Sequence, residues 1–406
     1  MESSQNARMR ANSHFPYIMQ LRRLWLNQDG EGLADQLSLR HSHASVPQLS
    51  TEAAMTKAME HLSPPFDDLA LLHLKTLASA QKNDDPRIVY QNQSAVVQSL
   101  TKILQLQKEE NWMLPVMNVV CLELRLLAIQ AENTKNKNIK PGEILEKCAE
   151  CLMGCFRVCA ADNRSSEDDT KRWGMLALVN QLLKVYFRIN KLHLCRPLIR
   201  AIDSSAYKDH FPLAQRITYK FFVGRKSMFD SDYKSADEHL SYAFEHCHRH
   251  STKNKRLILT YLVPVKMLLG FMPKRSLLEK YNLMEFWELV EAVKQGDMRK
   301  LEIVMSNHES FFIGAGIYLI VEKLKLLAYR NLFKKVWLAM NTHQIPVENF
   351  LSALEMCGVE DIDMDETECL VANLIYEGKI KGYISHQHKK LVISKQNPFP
   401  RLSSII

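Results

Sequence analysis

Near its C-terminal end the chain contains a helix with a well-marked beginning and end. In the stretch from Asp361 to Ser394, DIDMDETECLVANLIYEGKIKGYISHQHKKLVIS, Asp365 and Glu368 have the spacing of a capping box. Leucine and isoleucine side chains follow at helical spacing, and Gly378 is typical of a helix C-terminus. The pattern predicts one helix between these markers.

Two strand-like runs follow this helix directly. Ile380 to Ile384 form the first run and Leu391 to Ile393 the second, with the polar turn His386 to Lys390 between them. A helix followed by a β-hairpin is the ending of a winged helix, a module that docks onto nucleic acid or another protein and rarely carries out chemistry.

The charge of the chain is moderate in total and sharply divided within this module. The 406 residues, of which 46% are apolar and 24% charged, are typical of a soluble globular chain with two or three domains. The net charge of +8 permits an anionic partner. Gly378 to Ile406 contains six Lys or Arg and no acid, whereas Glu360 to Glu368 contains six acids and no base.

Neither a membrane span nor a secretory signal is expected. The longest apolar run, Phe311 to Val321, is well short of the ~18 residues that a span needs. The N-terminal MESSQNARMR lacks an apolar signal core, so the nine cysteines are expected to be reduced thiols in the nucleus or cytoplasm.

Most of the chain has helical periodicity and few helix breakers, with 13 Gly and 14 Pro. One predicted helix pair is Trp173 to Ile189 with Leu192 to Ile202, and a second is Arg216 to Met228 with Tyr233 to Cys247, offset by 41 residues. A third pair begins at Phe286 and turns at Gly296. These repeats predict a mostly α chain, a right-handed helical-repeat solenoid of the TPR-like kind that ends in the winged helix.

Four cysteines invite a metal interpretation because one pair has C-x-x-C spacing. On a helix, however, the four fall within about 80° of one another and span about 16 Å, too far for one ion. We therefore interpret them as small core residues. They are Cys148, Cys151, Cys155 and Cys159.

Histidines and aspartates give no metal site either. His246, His248 and His250 lie at a predicted helix end, where an imidazole interacts favourably with the helix dipole. The aspartates before the C-terminal helix resemble a calcium loop, but Glu366 replaces the required glycine and Ala372 the required bidentate glutamate. We predict no metal site.

Motifs for catalysis are missing from the sequence. It has no glycine-rich phosphate loop, no G-x-S-x-G and no H-E-x-x-H. We predict a non-enzymatic protein without a cofactor. A hydrolase whose catalytic groups are dispersed, suggested only by the 15 histidines and nine cysteines, stays as an alternative.

Basic residues converge on two parts of the C-terminal region. Lys323, Arg330 and Lys334 fall within about 40° of one another on a predicted helix from Ile317 to Met340 and form a candidate stripe. The adjacent Lys335 is a further candidate phosphate contact. Lysines on the hairpin are candidate phosphate contacts, although lysines also protect exposed edge strands from aggregation. The hairpin lysines are Lys379, Lys381, Lys389, Lys390 and Lys395.

A second basic patch and the acidic helix qualify this picture. Arg249, Lys253, Lys255 and Arg256 lie in a predicted loop, where they either extend the positive surface or are simply solvated. The helix Glu366 to Glu377 is acidic and would be repelled from a major groove. Any nucleic-acid contact is therefore expected to be directed to the backbone and sensitive to salt.

A helical-repeat region that runs into a winged helix is the plan of PCI domains, the scaffold modules of the proteasome lid, the COP9 signalosome and a translation initiation factor. Particular stretches of the chain resemble one family of PCI-domain proteins more closely, from about Pro64 to the C-terminus. They are KEENWMLPVMNVV, RVCAADNRSSEDDTKRWGMLALVNQL, KLHLCRPLIRAIDSS, YLVPVKMLLGFMP, YRNLFKKVW and KGYISHQHKKLVISKQNPFP.

The resemblance implies a non-enzymatic subunit of a nuclear-pore-associated complex for transcription and mRNA export. In that family the subunit pairs with a large export scaffold of the germinal-centre-associated nuclear protein type and with a small acidic disordered protein shared with the proteasome lid. Adjacent winged helices then form a composite surface for RNA or DNA. The implied location is the nucleus at the pore, with a cytoplasmic pool also compatible.

With this resemblance the chain divides into four predicted segments. They are N-terminal helical repeats at 1–210, the helical part of a PCI domain at 211–320, the winged helix at 321–395 and a tail at 396–406.

A second function stays open beside nucleic-acid binding. In a purely protein-binding PCI subunit of a signalosome-like or lid-like assembly, the winged helix would form a subunit interface and its lysines would only keep it soluble.

Overall fold

The computed structural model describes residues 14–107, 110–134, 140–163, 166 and 168–405. The chain divides into two compact units, Met1–Tyr219 and Lys220–Ile406. The N-terminal stretch MESSQNARMR, which lacks a signal core, lies outside the described ranges. The subdivision at residues 210, 320 and 395 stays a prediction.

The first unit consists of helices that pack mainly on their neighbours in the sequence. Side-chain caps define several of their starts; Asp29 Oδ1, for example, accepts a hydrogen bond of 2.8 Å from Gly32 N. Short 3₁₀ turns join some of them, as at Lys171–Gly174. The helices are α1 (His14–Leu26), α2 (Gly30–Gln36), α3 (Glu52–His61), α4 (Phe66–Gln81), α5 (Pro86–Leu106), α6 (Leu114–Asn133), α7 (Glu143–Ala160), α8 (Met175–Arg188), α9 (Cys195–Asp203) and α10 (Leu213–Phe229), which continues past the boundary.

Helix α6 forms the centre of this unit. It packs against α2, α5, α7 and α8, and Val116, Val120 and Leu124 are fully buried. Among the described helices it is the one whose length and hydropathy would allow it to cross a membrane, and half of its most apolar window is buried inside the unit. Core helices of globular units have the same composition.

The second unit begins with further helices of the same kind. Helix α14 packs against both α15 and α18, and α11 packs against α12. Gly296 forms the turn between α14 and α15 with a left-handed φ of +62°. The helices are α11 (Tyr233–His246), α12 (Thr252–Leu268), α13 (Arg275–Lys280), α14 (Glu285–Gln295), α15 (Met298–Asn307), α16 (Glu309–Ala315), α17 (Tyr318–Glu322), α18 (Leu324–Met340), α19 (Val347–Met356) and α20 (Met364–Tyr376).

The second unit ends in the predicted winged helix. Helix α20 is followed by strands β2 (Gly382–Ser385) and β3 (Lys390–Ile393), as the sequence pattern indicates. A strand that we did not predict, β1 (Gln344–Pro346), also pairs with β3, so the sheet order is β1-β3-β2. The prediction of a mostly α chain that ends in a winged helix is confirmed, and the hairpin is part of a three-stranded sheet.

The start of α20 differs from the prediction by two residues. The N-cap is Asp363, whose Oδ1 accepts a hydrogen bond of 2.8 Å from Glu366 N, and not Asp365. Gly378 ends the helix as predicted, with a φ of +72° and with Lys379 N donating to Leu374 O at 2.8 Å.

Gly296 is predicted to be essential for the packing of α14 on α18. A Cβ atom there would lie 2.5 Å from Leu332 N, a backbone atom of α18, and the left-handed φ disfavours any other residue. We expect Gly296→Ala to lower the free energy of unfolding by about 2 to 4 kcal/mol. Urea unfolding of the full chain, followed by circular dichroism, measures this.

Gly314 provides the matched control. It lies in α16, and an added Cβ would meet nothing within 4 Å. Gly314→Ala is therefore expected to leave stability unchanged or raise it by up to about 1 kcal/mol, because alanine favours the helix. Equal effects of the two substitutions would contradict the assigned turn.

A buried histidine gives the first unit a predicted pH dependence. His73 on α4 is almost fully buried, and its Nε2 has no hydrogen-bond partner among the described residues. Burial lowers the pKa of His73 to about 3, with a smaller contribution from His43. The unfolded chain therefore binds a proton below pH ~6.5 that the folded unit does not bind until about pH 3, and stability falls as the pH drops through this window.

Below pH ~6.5 the free energy of unfolding falls by about 1.4 kcal/mol per pH unit, which amounts to about 2 kcal/mol at pH 5. We expect His73→Leu to reduce the difference in unfolding free energy between pH 7 and pH 5 by that amount. Between pH 7.5 and pH 8.5 the variant should differ from the original chain by a constant. If the stability curves of the variant and the original chain stay parallel over the whole pH range, His73 takes up its proton at the same pH in the folded and the unfolded chain, which would contradict this prediction.

Candidate nucleic-acid interface

The three-stranded sheet decides which side chains of the wing face outward. On β3, Leu391 and Ile393 are buried, so the alternate residues Lys390 and Val392 point to the opposite face. The register pairs Val392 with Tyr383 and Lys390 with Ser385 on β2. The outward face of the sheet therefore carries these side chains.

Four lysines around the wing are available to a ligand. Lys381, Lys389 and Lys395 are exposed and Lys390 is half-buried. None of the four takes part in an ion pair with any residue that the structure describes. We call this set the wing lysines.

The wing lysines lie at both ends of the sheet. At one end Ser394 N donates to Lys381 O at 2.8 Å, which brings Lys381 close to Lys395. At the other end Lys389, with a φ of +47°, ends the turn, and its carbonyl accepts from Val347 N at the start of α19. With about 3.3 Å per strand residue, the two ends are about 13 Å apart.

Lys379, the fifth predicted hairpin residue, is already engaged. Its side chain is only 16% exposed, and its Nζ forms an ion pair with Glu377 at the end of α20. It therefore ties the wing to the preceding helix, and we leave it out of the wing lysines.

The predicted stripe on one long helix is wrong. The segment forms two helices, α17 and α18, which are separated at Lys323. Lys323 Nζ donates to Ser231 Oγ at 3.2 Å and to Tyr233 OH at 3.0 Å. Its side chain is therefore bound at the start of α11 and does not form a stripe with the basic residues of α18.

Arg330 is buried, and its predicted place on an exposed surface is wrong. It is 6% exposed; its Nη2 donates to Pro400 O at 2.7 Å and its Nη1 to Asn331 Oδ1 at 2.8 Å, with the Phe399 ring 5.6 Å away. Burial lowers the pKa of Arg330, but a guanidinium keeps its charge at neutral pH. Its role is to hold the C-terminal segment on α18.

Lys334 and Lys335 keep their place as candidate contacts. Lys335 is exposed and Lys334 half-buried, one turn after Arg330. Trp337, which lies on the Arg330 side of α18 and about 60° around the helix from Lys334, stacks on Phe399, with ring centroids 5.5 Å apart. Since Pro398 O accepts a hydrogen bond of 2.8 Å from Lys381 N, the C-terminal segment connects this side of α18 to the wing.

The second basic patch is helical and only partly free, which corrects the predicted loop. Lys253, Lys255 and Arg256 lie in the first turns of α12. Lys255 is buried, and its Nζ donates to Phe244 O at 2.8 Å in the last turn of α11, where a cation satisfies helix carbonyls. Arg256 donates to Asn282 O, so Arg249 and Lys253 are the members that stay exposed.

The acidic helix α20 uses part of its charge internally. Glu368 is buried, and its Oε2 lies 2.6 Å from His386 Nδ1 in the wing turn. This pair ties the turn to the helix. Asp365 and Glu366 are exposed.

Tyr383 is a surface residue that our sequence analysis did not single out. It stands on the outward face of β2, and 62% of its surface is exposed. Its outward position could have been predicted from the sequence, because side chains alternate between the two faces of a strand and Tyr383 is two residues from the charged Lys381.

Three of the four cysteines of the stripe lie in the core of the first unit, as interpreted, and Cys151 is only half-buried. Cys148, Cys155 and Cys159 are buried on α7, and burial raises the pKa of Cys148 and Cys159 to about 12. Such thiols stay protonated at neutral pH, unlike metal-binding thiolates. No group of three or more metal-binding side chains occurs in the part of the chain that the structure describes.

Comparisons with known proteins agree with the fold. A PCI domain model matches residues 304–395. The chain is 54% identical to PCI domain-containing protein 2 of Danio rerio over 96% of this chain and 98% of that protein. It is 54% identical to the Drosophila melanogaster homolog of that protein, over 92% and 95% respectively. It is also 29% identical to a protein named CSN12 homolog in Mycosarcoma maydis, over 87% and 88%.

The helical units, the terminal winged helix and the domain match define a PCI-domain protein, a class of scaffold subunits. At the identity and coverage found, the chain belongs to the PCI domain-containing protein 2 family. The resemblance noted in the sequence is confirmed.

Arg330 is predicted to stabilise the fold. Arg330→Lys keeps the charge but cannot reach both acceptors, so we expect a loss of about 1.5 to 3 kcal/mol in the free energy of unfolding. Lys335→Gln on the exposed side of the same helix should change it by less than about 0.5 kcal/mol. Unfolding curves of the full chain test both; an Arg330→Lys variant as stable as the original chain would contradict the structural role.

Proposed function

We propose that this chain is a non-enzymatic PCI scaffold subunit that binds the sugar-phosphate backbone of nucleic acid through its wing. The wing lysines, Lys381, Lys389, Lys390 and Lys395, make the main contacts, and Lys334 and Lys335 add to them. The role is binding and assembly within a complex that couples transcription to mRNA export.

The observation that carries this proposal is the set of unpaired ammonium groups on the wing. From Gly378 onward the sequence contains no acid, and the wing lysines have no carboxylate partner within 4.0 Å among the described side chains. Ammonium groups without local counter-charges attract polyanions and release condensed counterions from nucleic acid. Lysines that only limit aggregation of an edge strand do not need to extend to both ends of a sheet.

The charge of α20 determines the mode of binding. Asp365 and Glu366 are exposed in the first turn of the helix that would read base edges in a DNA-binding winged helix. Carboxylates there repel the phosphates that line a groove. Contacts to the backbone, without base-specific readout in the major groove, fit this distribution of charge.

The partners belong to the proposal as well. By its family the chain would pair with a large export scaffold of the germinal-centre-associated nuclear protein type and with a small acidic disordered protein shared with the proteasome lid. The nucleic-acid surface would then be composite, with a second winged helix beside the wing. We propose the nucleus, at the pore, as the place of action, with no membrane contact.

A purely protein-binding role is the second candidate, favoured by apolar side chains on the same domain. Leu338, Met356 and Tyr376 are strongly exposed. Exposed apolar and aromatic residues of this kind are typical of protein interfaces. In that case the wing lysines would make no difference to nucleic-acid binding.

Neutralising the wing lysines tests the proposal. With six contacts, counting Lys334 and Lys335, the logarithm of the duplex binding constant should fall with the logarithm of salt concentration with a slope near −5. The combined variant of Lys381, Lys389, Lys390 and Lys395 to Gln should weaken binding and make the slope shallower by about 3 to 4, about 0.9 for each lost contact. Fluorescence anisotropy of the full chain with a labelled duplex at several salt concentrations measures both.

The control changes the same net charge elsewhere. Four lysine-to-glutamine changes lower the net charge from +8 to +4 in either variant. The control set, exposed residues of the first unit, should keep the original affinity and slope. If the wing variant and the control bind alike, the wing is not the nucleic-acid surface and the protein-binding role is favoured. The control residues are Lys75, Lys82, Lys102 and Lys208.

A further inference from the structure

Tyr383 occupies an unusual position for an aromatic residue on a strand. It is 62% exposed, and its ring contacts no other aromatic ring among the described residues. Its cross-strand partner is Val392, and side chains of directly opposite residues are neighbours on the same face of a sheet. A ring that is exposed to this extent offers a flat apolar surface that a ligand can cover.

Two ammonium groups flank this ring. Lys381 precedes it by two residues and therefore stands on the same face, about 6.6 Å along the strand. Lys390 is the diagonal neighbour on β3, since it is paired with Ser385, and diagonal neighbours are about 7 to 8 Å apart. The face thus alternates cation, aromatic ring and cation.

We propose that Tyr383 is a stacking platform for one base of single-stranded RNA or DNA, with the neighbouring phosphates held by Lys381 and Lys390. This inference rests on the proposed nucleic-acid function and specifies its ligand. The base lies on the free face of the ring, while the backbone on either side passes over the two lysines.

A single strand can stack a base on the Tyr383 ring, whereas a duplex can contact only the flanking lysines. Stacking on a side chain requires a base whose face is free, and in a duplex each face is covered by the next base pair. Sheets that bind single strands combine aromatic side chains with a basic surface in this way. Every base has a flat face that can stack, so this contact does not depend on the nucleotide sequence. Binding without sequence preference agrees with the proposal that α20 makes no base-edge contacts.

A protein partner could also bind an exposed tyrosine, but the charge around Tyr383 favours nucleic acid as the ligand. The chain from Gly378 onward contains only basic charged residues, and Lys381 and Lys390 have no acid in reach among the residues described. A polyanion with flat aromatic groups matches both features.

The test compares substitutions of the ring in the full chain. The probes are labelled oligouridylate, oligothymidylate and a duplex of matched length. Tyr383→Ala should weaken binding of the single strands by about 5-fold to 150-fold, the range that corresponds to about 1 to 3 kcal/mol for one stacked base. Tyr383→Phe keeps the ring and should bind within about 3-fold of the original chain, because stacking does not need the hydroxyl.

Two readouts separate stacking from a loss of charge or fold. The salt slope of Tyr383→Ala should equal that of the original chain, because no cation is removed. Its affinity for the duplex should also stay the same. The matched control is Tyr376→Ala, which removes another strongly exposed tyrosine beside Glu377 and should leave single-strand binding unchanged.

The possible results distinguish this inference from the function on which it rests. If the wing-lysine variant loses binding but Tyr383→Ala binds single strands like the original chain, the wing binds nucleic acid and the stacking inference is wrong. If Tyr383→Ala only disrupts association with a protein partner, the ring is a protein contact and the inference is also wrong. Losses of affinity for both oligouridylate and oligothymidylate, with duplex affinity unchanged, would support stacking on the ring.

Discussion

The alternation of side chains along β3 is the constraint on which the proposed binding surface depends. This strand is hydrogen-bonded on both edges, to β1 and to β2, and Leu391 and Ile393 are buried beneath it. Burying each of these side chains contributes about 1.5 to 3 kcal/mol. A shift of register by one residue would move both into solvent and Lys390 into the core. The apolar residues therefore determine that the basic residues face outward.

Within the winged helix, acidic and basic side chains pair where one element of secondary structure meets the next. Glu377 pairs with Lys379 where α20 ends, and Glu368 contacts His386 where the wing turns. Asp363 caps the first turn of the helix. These acids support the local structure, whereas the wing lysines take part in no such pairs with the described residues. The separation of charge seen in the sequence thus becomes a structural division between internal pairs and a free basic surface.

Local patterns predicted the helices and the hairpin because their signals lie within a few residues. The turn at Gly296, the helix end at Gly378 and the apolar phase of the hairpin are all of this kind. Strand β1 was missed because three residues, one of them proline, are too short for a periodic signal. Its partner Leu391 is 46 residues later in the chain than Ile345, and periodicity carries no information on such distances.

Whether a single basic residue is exposed could not be predicted either, because it depends on segments that are distant in the sequence. Arg330 looked exposed on a helical wheel, but Pro400, 70 residues further on, covers it. Lys255 looked solvated until the last turn of α11 supplied a carbonyl acceptor. In each case a backbone carbonyl from another segment bound the cation. A basic residue is available to a ligand only when no such acceptor lies near it, and this is a property of tertiary structure.

The proposed function requires nucleic acid to contact the wing and not the acidic helix α20. Amide hydrogen exchange of the full chain, with and without a single-stranded oligonucleotide, tests this most directly. We expect slower exchange on binding in the peptides that cover Lys381 to Lys395, with the exchange of Met364–Tyr376 unchanged. Slower exchange in α20 while the wing stays unaffected would contradict it.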